Sequence, residues 1–243
     1  MSKSIYLEHL TWVEAEKAFK EYPVVVIPLG ARTKEHGPHL PLNNDWIMAE
    51  YLTKRVAEQV EAIITPTLQY GYYPSFTEYP GSVTLSLETS QKMVEEICVS
   101  LSRYGVSKFY VLNTGISTNY ALKPAKESLA SRGITMWYTD LHEAEAGTDD
   151  LLEQEGGTHA DESETSMMLY IKPEIVDMSL AIEDYHPLNG RGLTRDPENK
   201  EAGVYSETGI FGDPTLASVE KGEAIVESLV KYLVEDINKL AQL

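Results

Sequence analysis

Val24-Val25-Val26-Ile27-Pro28-Leu29-Gly30 runs, after Ala31-Arg32-Thr33, into Lys34-Glu35-His36-Gly37-Pro38-His39-Leu40-Pro41-Leu42-Asn43-Asn44-Asp45. The first segment is short, apolar and rich in β-branched residues, the pattern of a buried strand ended by a turn residue. The second gathers a carboxylate, two imidazoles and a second carboxylate into one loop. Ligands of open α/β sheets bind beyond the carboxyl ends of the strands. His, Asp and Glu form the donor set for zinc, manganese or iron. A polar, solvated loop would account for a lone histidine. Here Gly37-Pro38 fixes the backbone between two of them and Asp45 closes the loop, so the pattern points to a metal or catalytic role.

Working outward, apolar runs alternate with amphipathic stretches. Residues 46–62 carry Ile47, Ala49, Leu52, Val56 and Val60 at helical spacing. Ile63 to Pro66 reads as a short strand, Leu87 to Arg103 as a helix and Lys108 to Asn113 as a strand. Tyr120 to Ser131 reads as a helix with Gly133 at its C-terminal cap, and Ile134 to Tyr138 as the fourth strand. A buried helix follows at Thr165 to Ile171, stopping before Pro173, and a long amphipathic one at Leu216 to Leu240, with its cap near Asp213-Pro214. Asp184 to Gly212 is the most loop-like region, marked by Pro187, Gly190, Gly192 and Pro197. Strands alternating with helices predict an α/β fold with a mostly parallel sheet between helical layers. The 243 residues suit one domain, 1–243, with an ample core.

Composition narrows the function classes. The net charge of −18 repels phosphate backbones and argues against a nucleic-acid partner. No apolar run approaches a membrane span, and the first residues lack a signal-peptide core. Cys98 is the single cysteine, so no internal disulfide forms. It sits in a helical pattern and is expected in the core. A cytoplasmic setting fits.

Three further segments carry chemistry. Tyr70 to Ser82, with Tyr73 and Ser82, is an aromatic loop that either walls a small-molecule pocket or packs at a surface or subunit interface. Asn113-Thr114-Gly115-Ile116-Ser117-Thr118-Asn119 follows a strand. It either presents amides and hydroxyls such as Ser117 to a ligand, or is a plain connection with Thr118 or Asn119 as a helix cap. Gly156-Gly157-Thr158-His159-Ala160-Asp161-Glu162-Ser163-Glu164-Thr165-Ser166 puts a histidine and three acids before an apolar helix. A buried carboxylate there needs a cation or several donors. The competing reading is a capping arrangement through Ser163 or Asp161.

Together these blocks resemble the creatininase family of metal-dependent amidohydrolases. His36 to Asp45 resembles its H-G-P-H-L-P-L-x-x-D signature, and Pro80-Gly81-Ser82-Val83 its P-G-T element. His159 to Ser166 resembles H-A-G-x-x-E-T-S, and Gly209-Ile210-Phe211-Gly212-Asp213-Pro214 the C-terminal G-V-x-G-D-P. The resemblance implies a three-layer α/β/α fold and a centre of one or two divalent ions (Zn, Mn or Fe). His36 and Asp45 are ligands by that pattern, with Glu35 and Glu164 as further candidates. It implies metal-hydroxide attack on a non-peptide C–N bond of a small cyclic amide or amidine, with His159 aiding proton transfer to the leaving nitrogen. Tyr73, Ser82 and Ser117 are the substrate-contact candidates. The resemblance also implies a closed homo-oligomer, often a hexamer.

Two departures stand out. The family places Glu two residues before its first signature His, where this chain has Lys34. Either a bulge carries Glu35 into the gap, or the Lys34 ammonium fills it and neutralises the carboxylates in place of a second metal. The family's N-G-H-G-G-N block supplies another His, where this chain has Gly115. His142, Glu143 and His186 are the substitutes within the sequence. The rival reading is therefore a protein of the same fold with a degenerate metal site, acting in binding or regulation.

Overall fold

The computed structural model describes residues 2–145, 147–186, 192–199 and 203–243. The chain opens with strand β1 (Ile5–Tyr6) and helix α1 (Trp12–Glu21), then β2 (Val25–Leu29), α2 (Asn44–Ala57), β3 (Ile63–Ile64) and α3 (Leu87–Ser102). It continues through β4 (Lys108–Asn113), α4 (Asn119–Ala130), β5 (Thr135–Tyr138), α5 (Leu141–Glu145), α6 (Glu162–Ile171), β6 (Leu193–Thr194), β7 (Val204–Tyr205) and α7 (Val219–Gln242). Among the described residues five strands form one parallel sheet in the order β1-β3-β2-β4-β5. The expected α/β class with a parallel central sheet is therefore what forms.

Alternation along the strands builds the layers. Val24, Val26, Tyr110 and Leu112 pack on one face with Met48, Leu52 and Val56 of α2 and Leu229 and Leu233 of α7. Val25, Ile27, Phe109 and Val111 pack on the other with Phe19, Val94, Cys98 and Leu122. Successive side chains of a strand point to opposite faces, so strands covered on both sides read as continuous apolar runs. Cys98 is buried and free, as expected of a core residue. Burial pushes its thiol up to about 12.

The differences from expectation have local causes. The α1 helix is stabilised by a capping box, Thr11 accepting from Glu14 N–H while Glu14 accepts from Thr11 N–H. Its apolar pattern is weak, since only Ala18 and Phe19 are buried. The helix expected from Trp46 begins at Asn44, so Asp45 lies in its first turn rather than in the loop. It ends at Ala57, because the chain must turn there to bring Ala62 and Ile63 beside Ile5 and Val25. The α7 helix starts after Ser218, whose Oγ accepts from Lys221 N–H at 3.2 Å. Asp213 instead caps the short 3-10 turn Pro214–Leu216. Within Asp184 to Gly212, β6 and β7 form a short parallel pair. Pro187 and Gly190 lie outside the described residues.

This topology fixes where the site lies. From β2 the chain crosses by α2 to β3, and from β3 it returns by α3 to β4 on the other side of β2. The order therefore reverses between β2 and β4, and loops leaving their carboxyl ends diverge to leave a crevice. Leu29 pairs with Asn113, so Gly30 and Thr114 emerge side by side. Thr114 N–H donates to Leu29 O at 3.1 Å, and its Oγ1 donates to Asp45 O at 2.9 Å.

Candidate metal centre

A cavity of about 600 Å³ opens at this crevice, lined by Lys34, Phe76, Ser117, His159, Glu164 and Phe211 among others. Close approach of α2 makes it possible. A Cβ on Gly30 would lie 2.3 Å from Asp45 O, so only glycine lets the first turn of α2 sit against the end of β2.

The loop after β2 turns three consecutive side chains inward. Lys34, Glu35 and His36 are all buried. Lys34 Nζ lies 2.8 Å from Asp45 Oδ2, an ion pair with both side chains out of solvent. His36 Nδ1 lies 2.9 Å from Lys34 O, and its Nε2 lies 2.6 Å from Asp45 Oδ1. Glu35 turns its carboxylate to the Gly37 N–H and to His159 Nε2, the latter at 3.0 Å. Ser82 Oγ accepts from Glu35 N–H at 2.9 Å and holds that backbone in place.

The segment before α6 closes the other wall. Asp161 Oδ1 accepts from Glu164 N–H at 3.1 Å, so Asp161 is the cap of α6, as the capping reading held. Ala160 has φ 49°, the left-handed region that a non-glycine residue adopts only under constraint. That turn aims its N–H at Glu164 Oε2, 2.5 Å away. It also leaves the His159 and His36 rings 5.0 Å apart, although the two lie far apart in sequence. Phe211 pairs with His159 as an isolated bridge and seats this segment against the C-terminal Gly209 to Pro214 stretch.

The electrostatics follow from this packing. Burial acts to raise Asp45, but His36 and Lys34 outweigh it and hold the carboxyl well below the usual range. Burial opposes the imidazolium of His159, and the Glu35 carboxylate overrides it, raising the pKa. Burial and the nearby Glu164 carry Asp161 up to about 6.

The tautomers test whether a metal fits. A carbonyl oxygen only accepts, so the His36 nitrogen facing Lys34 O carries the hydrogen. His36 Nε2 then faces Asp45 Oδ1 at 2.6 Å and Glu164 Oε1 at 4.0 Å. A bare lone pair between two carboxylates is repulsive, so that place requires a proton or a metal ion. His159 Nε2 likewise faces Glu35 O at 3.0 Å, which leaves Nδ1 toward Glu164 Oε2 at 3.7 Å. Ligand atoms of His36, His159 and Glu164 lie within 4.8 Å of one another. Metal-binding histidines are characteristically oriented in this way, the far ring nitrogen donating to a carbonyl or carboxylate. The donor set fits a divalent ion of the zinc or manganese type.

Of the expected residues, His36, His159 and Glu164 converge, with Asp45 against His36 and Glu35 behind His159. Ser117 lines the cavity. Tyr73 is buried beneath it, its ring 5.5 Å from Lys34 Nζ, and Ser82 lies behind Glu35. His39 turns away from the group, its Nε2 2.8 Å from Thr165 Oγ1, and burial lowers its pKa to about 4. Neither His142, Glu143 nor His186 belongs to the converging group. Neither Thr118 nor Asn119 caps α4 with a side chain; Asn113 instead bridges Gly115 O and Asn119 Oδ1. The Ala160 turn went unforeseen, because alanine carries no sequence signal for a left-handed backbone.

Known proteins resemble this chain along most of its length. The family model Creatininase, described as creatinine amidohydrolase, matches residues 8–237. The creatinine amidohydrolase of Pseudomonas putida is 28% identical over 98% of both chains. The mycofactocin precursor peptide peptidase of Mycolicibacterium smegmatis is 28% identical over 89% of this chain and 85% of its own. The 3-dehydro-scyllo-inosose hydrolase of Thermotoga maritima is 26% identical over 94% and 81%. A creatininase variant solved in Zn-Zn form superposes with TM-score 0.80 at 26% identity, over 98% of both chains. A manganese creatininase superposes with TM-score 0.78 at 25% identity, over 97% of this chain and 98% of its own.

Proposed function

Because this chain belongs to the creatininase family of metal-dependent hydrolases, we propose that it opens a non-peptide C–N bond in a small cyclic amide or amidine. The observation that carries this reading is the convergence of His36 Nε2, His159 Nδ1 and Glu164, each imidazole held by a backbone carbonyl on its far side. His36, His159 and Glu164 would hold a divalent ion, which would polarise the carbonyl oxygen or amidine nitrogen and lower the pKa of a water.

The chain's own groups do the rest. Glu35 accepts the His159 Nε2 hydrogen and fixes which nitrogen faces the cavity. Lys34 places a permanent positive charge at the cavity floor, which favours an oxygen that becomes negative during attack. Phe76 packs on the His159 ring at 4.3 Å between centroids and keeps water from its flank. Ser117 offers a hydroxyl to a ligand's polar edge, with Tyr73 and Ser82 as support behind the wall. His159 was expected to carry a proton to the leaving nitrogen; its geometry better suits a ligand. A cavity of this size takes a small molecule, and the acidic chain argues against a phosphorylated one.

The relatives act on unlike molecules by name, so the substrate is proposed only as a class. No described helix is long and apolar enough to cross a membrane. A cytoplasmic site of action, supported by the lone buried cysteine, and assembly into a closed homo-oligomer belong to the same proposal.

The test is a panel of cyclic amides and amidines offered to protein loaded with Zn²⁺ or Mn²⁺, with ring opening followed by mass spectrometry. Turnover abolished by chelation and restored by metal supports the reading. One observation favours the rival, a non-catalytic binding protein: the Lys34–Asp45 pair already neutralises part of the centre without metal. Saturable binding of panel members without hydrolysis in any metal form would establish that rival.

A further inference from the structure

We infer that Lys34 is a built-in cation standing where a second metal ion would sit, so that the centre admits one divalent ion per chain. This rests on the metal reading above and goes beyond it by fixing the number of ions.

The first observation is placement. Asp45 is fully buried and presents its two oxygens in different directions. Oδ1 faces His36 Nε2 at 2.6 Å and Oδ2 faces Lys34 Nζ at 2.8 Å. One carboxylate therefore spans the proposed metal donors on one side and an ammonium on the other.

The second is confinement. Lys34 Nζ lies 5.2 Å from the centre of the Phe76 ring and 5.5 Å from that of Tyr73. Two aromatic faces attract a cation and hold it there. The strand-β4 side closes that space. A Cβ on Gly115 would lie 3.2 Å from Tyr73 Cε1 and Thr118 Oγ1 and 3.8 Å from Asp45 Oδ2, so glycine lets Tyr73 and Thr118 pack there and supplies no donor of its own.

The third is charge. Three carboxylates touch the imidazoles or the ammonium of the centre, buried Glu35 and Asp45 and the partly open Glu164, while Asp161 beside them is bonded away to Gln154 Nε2 and the Glu164 N–H. With both imidazoles neutral, one ammonium and one divalent ion balance them. A second divalent ion would leave two uncompensated positive charges out of water, which is strongly unfavourable. Among the described residues no second group of three convergent donors is present.

The test is metal stoichiometry, read by elemental analysis and by titration of metal-free full-length protein with Zn²⁺ and Mn²⁺. Wild type, Lys34→Arg, Lys34→Gln and Lys34→Glu are compared, each checked for folding by circular dichroism. The expected result is one tight ion for wild type and for Lys34→Arg, which keeps the charge, and a second ion for Lys34→Glu, with at least a tenfold gain in second-site affinity for Lys34→Gln. Two tight ions in wild type would overturn the inference and leave the hydrolase reading intact. One ion in every folded variant would overturn it as well. No ion in wild type but one in Lys34→Glu would overturn the one-ion inference together with the metal-hydrolase reading. No ion in any variant would remove both. Should the charge-removing variants fail to fold even in excess zinc, wild type and Lys34→Arg still decide: a second tight site in either contradicts the inference.

Discussion

Asp45 illustrates how much one buried carboxylate can organise. It accepts the Lys34 ammonium, lies 2.6 Å from His36 Nε2 and starts α2 with an acid in its first turn. Removing it leaves an ammonium out of water with no counter-ion. Asp45→Ala in the metal-free protein should cost about 3–5 kcal/mol, the range for breaking a buried ion pair. The double variant Asp45→Ala/Lys34→Met should recover much of that loss in urea unfolding. A single variant no less stable than the double would show that the pair carries no such energy. The neighbouring His159 invites a second comparison. If it is a ligand, His159→Asn lowers metal affinity and turnover together; full metal occupancy with lost turnover would return it to a proton-transfer role. His36 and Asp45 stood out in the sequence by residue type and loop spacing, whereas His159 and Glu164 were singled out by the charge pattern of their segment and by the family resemblance. The inward path of Lys34 was only one of two options in the sequence, since lysine is by default a surface residue.

The elements depend on a few close approaches. Gly209 has φ 76°, and a Cβ there would lie 2.1 Å from Glu35 Oε1. Gly209→Ala should therefore push the Glu35 carboxylate away and release His159 Nε2. Loss of such an orienting partner typically weakens metal affinity about 10–100-fold. Calorimetric titration of the variant checks this, and unchanged affinity would mean that Glu35 does not orient the ligand. His39 joins the loop after β2 to α6 through Thr165. Burial lowers its folded pKa from 6.5 to about 4. The neutral form is thus favoured by folding, and that stability is present above pH 6.5 and lost as pH falls through 4. The loss amounts to roughly 3 kcal/mol. His39→Gln should flatten the stability curve across this window; an unchanged slope would assign acid sensitivity elsewhere. Helix and strand positions in the core were readable from periodicity, because both sheet faces are covered. Boundaries were not: Asn43, Asn44 and Asp45 are all of N-cap type, so residue type did not single out which of them precedes the first turn of α2, and Asn43, which does, makes no side-chain cap bond. The α1 helix did carry a marker, Thr11 with Glu14 three residues on, but its thin apolar face concealed it.

At the scale of the whole molecule, the sheet order brings together loops from β2, from β4 and from the start of α6. That assembly could be inferred from the resemblance but not from spacing, since nothing in the sequence alone measures the distance between residues 36 and 159. The match to the family over residues 8–237 accounts for the conserved architecture. Lys34 in the floor of the centre and Gly115 beside Asp45 stand at the two departures from the family pattern read in the sequence. The central claim is that His36, His159 and Glu164 hold a divalent ion. Diffraction from crystals grown with Mn²⁺ or Zn²⁺, collected at the metal's absorption edge, tests it most directly. The predicted result is one strong anomalous peak at roughly 2.0–2.2 Å from His36 Nε2, His159 Nδ1 and a Glu164 oxygen, with Lys34 still paired to Asp45. No peak in the cavity, or one bound only by other residues, would contradict it.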